Sequence, residues 1–232
     1  MKASKITIII PVYNEISTLK QLLEKVEKAA MSDLEKEIIL VDDGSSDGTR
    51  ALLKEFENKY KILFHAGNMG KGAAIRTAIY YSTGDIIIIQ DADLEYNPDD
   101  YNELIKIIID DKADVVYGSR FLDSQSTKNF KLLQLLANKF LTLLINVLFG
   151  AKLTDMETCY KAFRADVIRN MNIKSNRFDF EPEISAKILK KKYVLKEVPI
   201  SYYGRSYTEG KKIGWKDGLS AVKALIWYRI FD

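Results

Sequence analysis

Four isoleucines run straight into five carboxylates in "IIIIQDADLEYNPDD", residues 86–100. In an extended chain, positions i and i+2 point to one side. Asp91, Asp93 and Glu95 can then face a single point. Like charges that close are costly unless something positive stands between them. A hard divalent cation, Mg²⁺ or Mn²⁺, suits such a set, with a substrate phosphate completing its shell. The plainer alternative is a polar loop after a strand, with Asp99 and Asp100 capping the next helix.

Three other stretches carry residue types that could bind or react. "VDDGSSDGT" (41–49) also closes an apolar run. Its carboxylates could accept hydrogen bonds from a base or ribose, although Asp-Gly and Ser-Asp-Gly form turns without any ligand. In "PVYNE" (11–15), Pro11 and Tyr13 offer a rigid edge and a ring for a base, and Glu15 could bond a ribose or cap a helix. "GNMGKGAAIRTA" (67–78) lacks the spacing of a P-loop, and the chain holds no G-x-G-x-x-G fingerprint, which disfavours a P-loop NTPase or a dinucleotide dehydrogenase. Its glycines and Lys71 at a helix start could still help to hold an anion.

These residues need a scaffold, and the pattern predicts one. "KITIIIPV" (5–12), "EIILVDD" (37–43), "KILFHA" (61–66), "DIIIIQD" (85–91) and "DVVYGS" (114–119) read as strands. Their near-continuous apolarity implies burial on both faces, as in a parallel sheet. Helical patterns lie between them. Ile16, Leu19, Leu22, Leu23 and Val26 share one face, and Asn97-Pro98 starts a helix over 98–110. Alternating strands and helices predict a doubly wound α/β sheet. Ligands in such sheets sit beyond the carboxyl ends of the strands, where the "DAD", "VDDGSSDGT" and "PVYNE" motifs fall.

The second half differs. Residues 130–149 read as a long apolar helix whose polar positions, Gln134, Asn138, Thr142 and Asn146, recur every four residues. Three settings fit it: a core helix, a helix lying in a membrane interface, or an oligomer contact. It is too interrupted to span a bilayer comfortably. A helix from Pro182 to Lys191, a strand in "YVLKEVPISYY" and an amphipathic segment from Trp215 follow. Charge is uneven. The chain of 232 residues carries net +3, yet Lys187 to Arg229 holds eleven Lys/Arg against three Asp/Glu. A basic end can meet nucleic acid, an anionic membrane or a phosphorylated substrate. Tyr202, Tyr203, Tyr207 and Trp215 could stack bases there, but the acidic rim would repel a polyanion, so nucleic acid is not expected as a partner. One cysteine, Cys159, and one histidine, His65, allow neither an internal disulfide nor a Cys/His zinc site. His65 reads as structural. "ITIIIPV" is short and reads as a strand, not a signal peptide.

Taken together and in order, "IIIPVYNE", "VDDGSSDGT", "GNMGKGAAIRTA", "DADLE", "GSRF", "DMETCYKAFR" and "EVPISYYGR" resemble the family 2 glycosyltransferases of GT-A fold, most closely the polyprenyl-phosphate sugar synthases. The resemblance covers the whole chain. It implies a single GT-A (Rossmann-like) domain over 1–232, a mostly parallel sheet flanked by helices. Residues 1–120 would form the nucleotide-sugar half. Residues 121–232 would form the acceptor half, with its own helices. Position by position, Pro11, Tyr13, Glu15, Val41 and Asp43 would hold the nucleoside. Asp91, Ala92 and Asp93 would hold the diphosphate side. The metal would sit on Asp91, Asp93 and Glu95, although the family often has Gln where Glu95 stands. Arg120 would reach the acceptor phosphate, with Lys131 and Arg205 as further cations and Lys211 or Lys212 assisting.

The implied reaction is an inverting transfer of a hexose from a nucleotide-sugar, of GDP-mannose or UDP-glucose type, to polyprenyl or dolichyl phosphate. A phosphomonoester, with a second pKa near ~6, is already an anionic nucleophile at neutral pH. A hydroxyl acceptor would instead need a base, and "TDMET" offers Asp155 and Glu157; Asp155 could equally cap a helix. A non-catalytic nucleotide-sugar binding module stays open as a third reading. A lipid-linked acceptor implies a cytoplasmic enzyme, peripheral on the cytoplasmic face of a membrane, with the apolar helix and basic tail as its membrane features.

Overall fold

The computed structural model describes residues 3–31, 33–122, 130, 132–205 and 214–231. Its strands are β1 (Lys5–Val12), β2 (Glu35–Asp42), β3 (Lys61–Phe64), β4 (Ile86–Ile89), β5 (Val115–Ser119), β6 (Lys161–Arg164) and β7 (Leu195–Pro199). The helices are α1 (Leu19–Lys28), α2 (Thr49–Lys54), α3 (Lys71–Tyr81), α4 (Tyr101–Ile109), α5 (Leu132–Phe149), α6 (Ala165–Arg169), α7 (Phe180–Lys190) and α8 (Trp215–Ile230). One seven-stranded sheet runs in the order β3-β2-β1-β4-β6-β5-β7. All neighbours pair parallel except β6, which is antiparallel to both β4 and β5. The strand order reverses beside β1, at the crevice where open α/β sheets bind ligands.

Apolar alternation explains the layers. Ile6, Ile8 and Ile10 of β1 pack with Leu19, Leu22 and Leu23 of α1 and with Tyr101, Leu104 and Ile108 of α4. Ile9, Ile39, Val41 and Ile87 point the other way, onto Ala74, Ile75 and Ala78 of α3 and onto Phe180 and Ile184 of α7. Strands so covered are apolar at successive positions, which is the pattern the sequence carries. A third cluster joins Leu141 and Ile145 of α5, Leu153, Met156, and Ala221 and Leu225 of α8.

Three elements depart from the sequence reading. "KAFR" forms β6, a strand not foreseen because it is four residues long with cations at both ends. The predicted helix 98–110 opens as a 3₁₀ turn, Pro98–Asp100, capped by the Asn97 side chain, before α4 begins. The helix expected from Pro182 begins two residues earlier, which places Glu181 in its first turn.

The second half of the polar stripe of α5, Thr142 and Asn146, faces inward. The Met156 amide donates to Thr142 Oγ1 at 3.1 Å. Asn146 Nδ2 donates to the Leu153 carbonyl, and the Leu153 amide donates back to Asn146 Oδ1, both at 2.8 Å. The helix therefore turns its apolar side outward: Leu132, Leu133 and Val147 are 71%, 81% and 73% exposed. By length and composition α5 could cross a membrane; here it packs alongside α8.

Candidate active site

The acidic rim forms where β1, β2 and β4 end together. Pro11 pairs with Val41 in register, and Val12 with Asp42. The chain then turns sharply at both ends. Asn14 takes φ +50°, and its Oδ1 accepts from the Ser46 amide at 2.8 Å. Gly44 takes φ +79°, and a Cβ there would lie 2.6 Å from the Gly67 carbonyl carbon. Only glycine fits that close approach. Asp43 is buried in the fold it creates. Its carboxylate accepts from the Met69 and Gly70 amides at 2.8 and 2.7 Å and meets His65 Nδ1 at 2.8 Å. His65 Nε2 reaches Thr77 Oγ1 at 3.0 Å. Asp43 and His65 thus hold the "GNMG" loop under the site.

That loop delivers Lys71 at the start of α3. Its Nζ sits 2.8 Å from Asp91 and 3.1 Å from Glu181. Burial opposes the lysine's charge, but Asp91, Cys159 and Glu181 outweigh it and raise its pKa well above the ordinary value. Glu181 escaped the sequence reading. Its acidic neighbourhood reads as ordinary helix-start chemistry, and nothing local ties it to a lysine 110 positions earlier.

Residues 91–95 are a turn, not an extended segment, with Leu94 at φ +64°. The i, i+2 argument for three convergent carboxylates therefore does not describe this backbone. Asp91 faces Lys71. Asp93 accepts from Arg205 Nη2 at 3.1 Å and from the Glu95 amide at 3.1 Å. Glu95 turns aside to accept from Tyr202 Oη at 2.9 Å and from the Arg205 amide at 2.6 Å. Among the described residues, no three acidic, histidine or cysteine side chains gather closely enough to hold a metal by themselves. Burial, with repulsion from Asp91 and Glu95, pushes Asp93 up to about 7 despite Arg205.

Arg205 also forks onto Glu15, with both contacts at 3.0 Å. The sequence reading assigned this arginine to the acceptor phosphate. The structure has it between Glu15 and Asp93. Ala92 and Val41 are buried beside this rim, and Tyr13 and Pro11 are half-buried at its edge. Lys131, Lys211 and Lys212 lie outside the described residues.

The second constellation is built on β5 and the loop before β6. Arg120 Nε and Nη2 each donate to Asp155 at 2.7 Å, and the Arg120 amide adds a third bond at 3.0 Å. Asp155 is fully buried, and its own amide donates to Glu197 Oε1 at 2.9 Å. Rings of Phe121, Phe130 and Tyr202 lie 5.9, 5.3 and 5.1 Å from the guanidinium carbon. The guanidinium is bound along one edge and ringed by aromatics; among the described residues, no hydrogen bond engages its Nη1. The Asp155 carboxylate accepts all three of these bonds from Arg120. Glu157, two residues on, has a shielded Oε1 without a hydrogen-bond partner. Lys161 is buried beneath the same loop and donates to the Met156 and Thr158 carbonyls.

The site can therefore offer a nucleoside edge, a carboxylate pair for a hard cation with phosphates, and a separate buried guanidinium for a second anion. The profile of "Glycosyl transferase family 2" matches residues 7–171. An uncharacterized protein of Methanocaldococcus jannaschii is 28% identical, over 98% of this chain and 93% of its own. A UDP-N-acetylglucosamine–dolichyl-phosphate N-acetylglucosaminyltransferase of Methanococcus voltae is 29% identical, over 88% and 87%. A dolichol-phosphate mannosyltransferase of Pyrococcus furiosus is 28% identical over 90% of this chain, which spans 60% of that longer protein. Among solved structures, glucosyl-3-phosphoglycerate synthase of Mycobacterium tuberculosis with Mn²⁺, uridine diphosphate and phosphoglyceric acid superposes with a TM-score of 0.76 at 13% identity, covering 99% of this chain and 80% of that one. The same synthase has also been solved with Mg²⁺ and uridine diphosphate. The chain belongs to glycosyl transferase family 2 and is a glycosyltransferase with the GT-A fold.

Proposed function

We propose that this enzyme moves a hexose from a nucleotide-sugar to polyprenyl or dolichyl phosphate, with inversion, at the cytoplasmic face of a membrane. The observation that carries the reading is the separation of two anion seats: the Asp91/Asp93 rim with Lys71, and Arg120 held by Asp155. The dolichyl-phosphate relatives named above support the choice of acceptor.

Glu15, Tyr13 and the Pro11/Val41 edge would take the nucleoside. Asp91 and Asp93 are two hard oxygen donors, a set that fits Mg²⁺ or Mn²⁺ when substrate phosphates complete the shell. Such an ion would stabilise charge developing on the leaving diphosphate. Lys71 adds a fixed positive charge at the same place. Arg205 already bridges Glu15 and Asp93 and would neutralise the diphosphate when donor enters. Glu95 acts through Arg205 and Tyr202 by holding their segment. Arg120 would orient the acceptor phosphate, whose anionic oxygen attacks the anomeric carbon from the opposite face. No side chain is then required to remove a proton, which agrees with Asp155 being committed to Arg120.

The test is a panel of GDP- and UDP-sugars with polyprenyl phosphate, followed by mass of the lipid-linked sugar. One donor is expected to give product with Mn²⁺ or Mg²⁺, and chelation is expected to stop it. Transfer to a hydroxyl acceptor alone would overturn the reading.

The outward face of α5 supports membrane docking. Leu133→Glu with Val147→Glu is expected to lower sedimentation with anionic liposomes by about tenfold or more, since burying one leucine-sized side chain is worth about 1.5–3 kcal/mol. Transfer to a short, water-soluble prenyl phosphate should survive. Unchanged sedimentation would reject α5 as the docking face.

A further inference from the structure

Among the described residues, the charged groups around Glu157 already have partners, and the Glu157 carboxyl group has none. Lys71 and Glu181 are paired at 3.1 Å on the donor side. Arg120 and Asp155 are paired on the acceptor side. The Lys161 ammonium is spent on two carbonyls. Among the described residues, no hydrogen bond or ion pair involves the Glu157 carboxyl group, and its Oε1 is shielded from solvent.

Its surroundings also select its protonation. Burial and repulsion from Glu181, with Asp155 adding to them, outweigh Lys161 and Arg120 and push Glu157 up to about 8. At neutral pH the group keeps its proton. A neutral carboxyl group offers one O–H donor together with acceptor oxygens. That combination matches a sugar hydroxyl, which also donates and accepts. It suits a phosphate poorly, because Glu181 and Asp155 would repel an anion brought to the same point. Two residues before Glu157, Asp155 holds Arg120; two residues after it, the Cys159 amide donates to Tyr96 Oη, next to the 91–95 turn, so Glu157 lies on the loop that links the two anion seats, where a hexose on its diphosphate would lie.

We propose that Glu157 reads the sugar: its carboxyl group hydrogen-bonds a hydroxyl of the donor hexose and so sets which hexose is accepted. This role rests on the nucleotide-sugar reading above and assigns Glu157 to specificity in place of proton removal. A shielded carboxyl oxygen left without a partner is the kind of feature a binding site keeps for its ligand.

The experiment measures donor binding alone, so it does not depend on the acceptor. Wild type, Glu157→Gln and Glu157→Ala are titrated with UDP, GDP, UDP-glucose, UDP-N-acetylglucosamine and GDP-mannose in the presence of Mn²⁺. Affinity for the free nucleotide is expected to stay within about twofold in both variants. Affinity for the preferred nucleotide-sugar should fall about tenfold or more in Glu157→Ala and much less in Glu157→Gln, which keeps a donor and an acceptor. Wild type should also lose about tenfold against one deoxy form of that sugar, and Glu157→Ala should bind parent and deoxy forms alike. Neither variant should melt well below wild type, because no hydrogen bond or ion pair among the described residues is lost; markedly lowered melting with unchanged sugar preference would make Glu157 structural and overturn the proposal. An unchanged ratio of nucleotide-sugar to nucleotide affinity in Glu157→Ala would overturn it as well. Failure of wild type to bind any of the three nucleotide-sugars would overturn the parent reading and this one with it.

Discussion

Asp93→Ala is expected to remove metal-dependent sugar transfer, a fall of about 10³-fold or more in kcat/KM, while the fold stays as stable or gains. The size follows from the charge at stake. A cation on a leaving diphosphate is worth several kcal/mol, and each 1.36 kcal/mol is about tenfold in rate. Stability moves the other way because Asp93 is crowded. Burial and its neighbours Asp91 and Glu95 raise it to about 7, above the ordinary carboxylate value near ~3.9. A carboxyl group whose pKa is raised in the folded state binds more protons folded than unfolded between those two values. Its ionisation therefore destabilises the fold as pH rises through that window, up to about 7. The alanine variant should accordingly gain more in melting temperature at pH 8 than at pH 5. Arg205 keeps its two contacts to Glu15, so the strap at residues 202–205 should persist. Manganese titration of activity and thermal melts at the two pH values check both halves. Full activity in Asp93→Ala would sink the assignment of the rim to metal and diphosphate.

The second large effect is at Arg120 and Asp155. Removing either partner leaves a buried charge uncompensated, at a cost of about 3–5 kcal/mol. For a chain of this size each kcal/mol lowers the melting temperature by roughly 2–4 °C. Arg120→Ala and Asp155→Ala should thus both melt well below wild type. Activity loss in either alone is ambiguous, because a loosened β5 would also disturb the site. The double variant Arg120→Met with Asp155→Leu separates the causes. An apolar pair of similar volume can recover a buried ion pair's stability. It is expected to melt near wild type, to bind nucleotide-sugar normally, and to show no transfer to polyprenyl phosphate. Recovery of transfer along with stability would make the pair purely structural. Asp155→Asn adds a further distinction: if Asp155 only orients Arg120, the loss should appear mainly in acceptor KM, whereas a base would lose kcat.

Much of this protein is written locally. The parallel sheet is legible because strands buried on both faces must be apolar at successive positions, as in Ile86 to Ile89. The motifs fall at strand ends for the same reason that ligands do. The exposed side of α5 was harder to read. Its four-residue polar repeat looks like a solvent stripe, yet Thr142 and Asn146 spend their side chains on the 153–156 loop. A hydroxyl or amide that pairs with a backbone group inside is indistinguishable, in sequence, from one that pairs with water.

The sequence by itself determined the parallel strands of the sheet, the carboxylates at its rim and the family, because hydrophobic period and motif order are properties of neighbouring residues; the antiparallel β6 was not among them. Tertiary structure decided what each charge does. It paired Arg120 with Asp155, 35 positions away, and Arg205 with Glu15, 190 positions away. It set Lys71 between Asp91 and Glu181, and it left Glu157 Oε1 without a hydrogen-bond partner among the described residues. A charged side chain takes its role from the charges and the burial around it. Those are assembled only when distant segments meet.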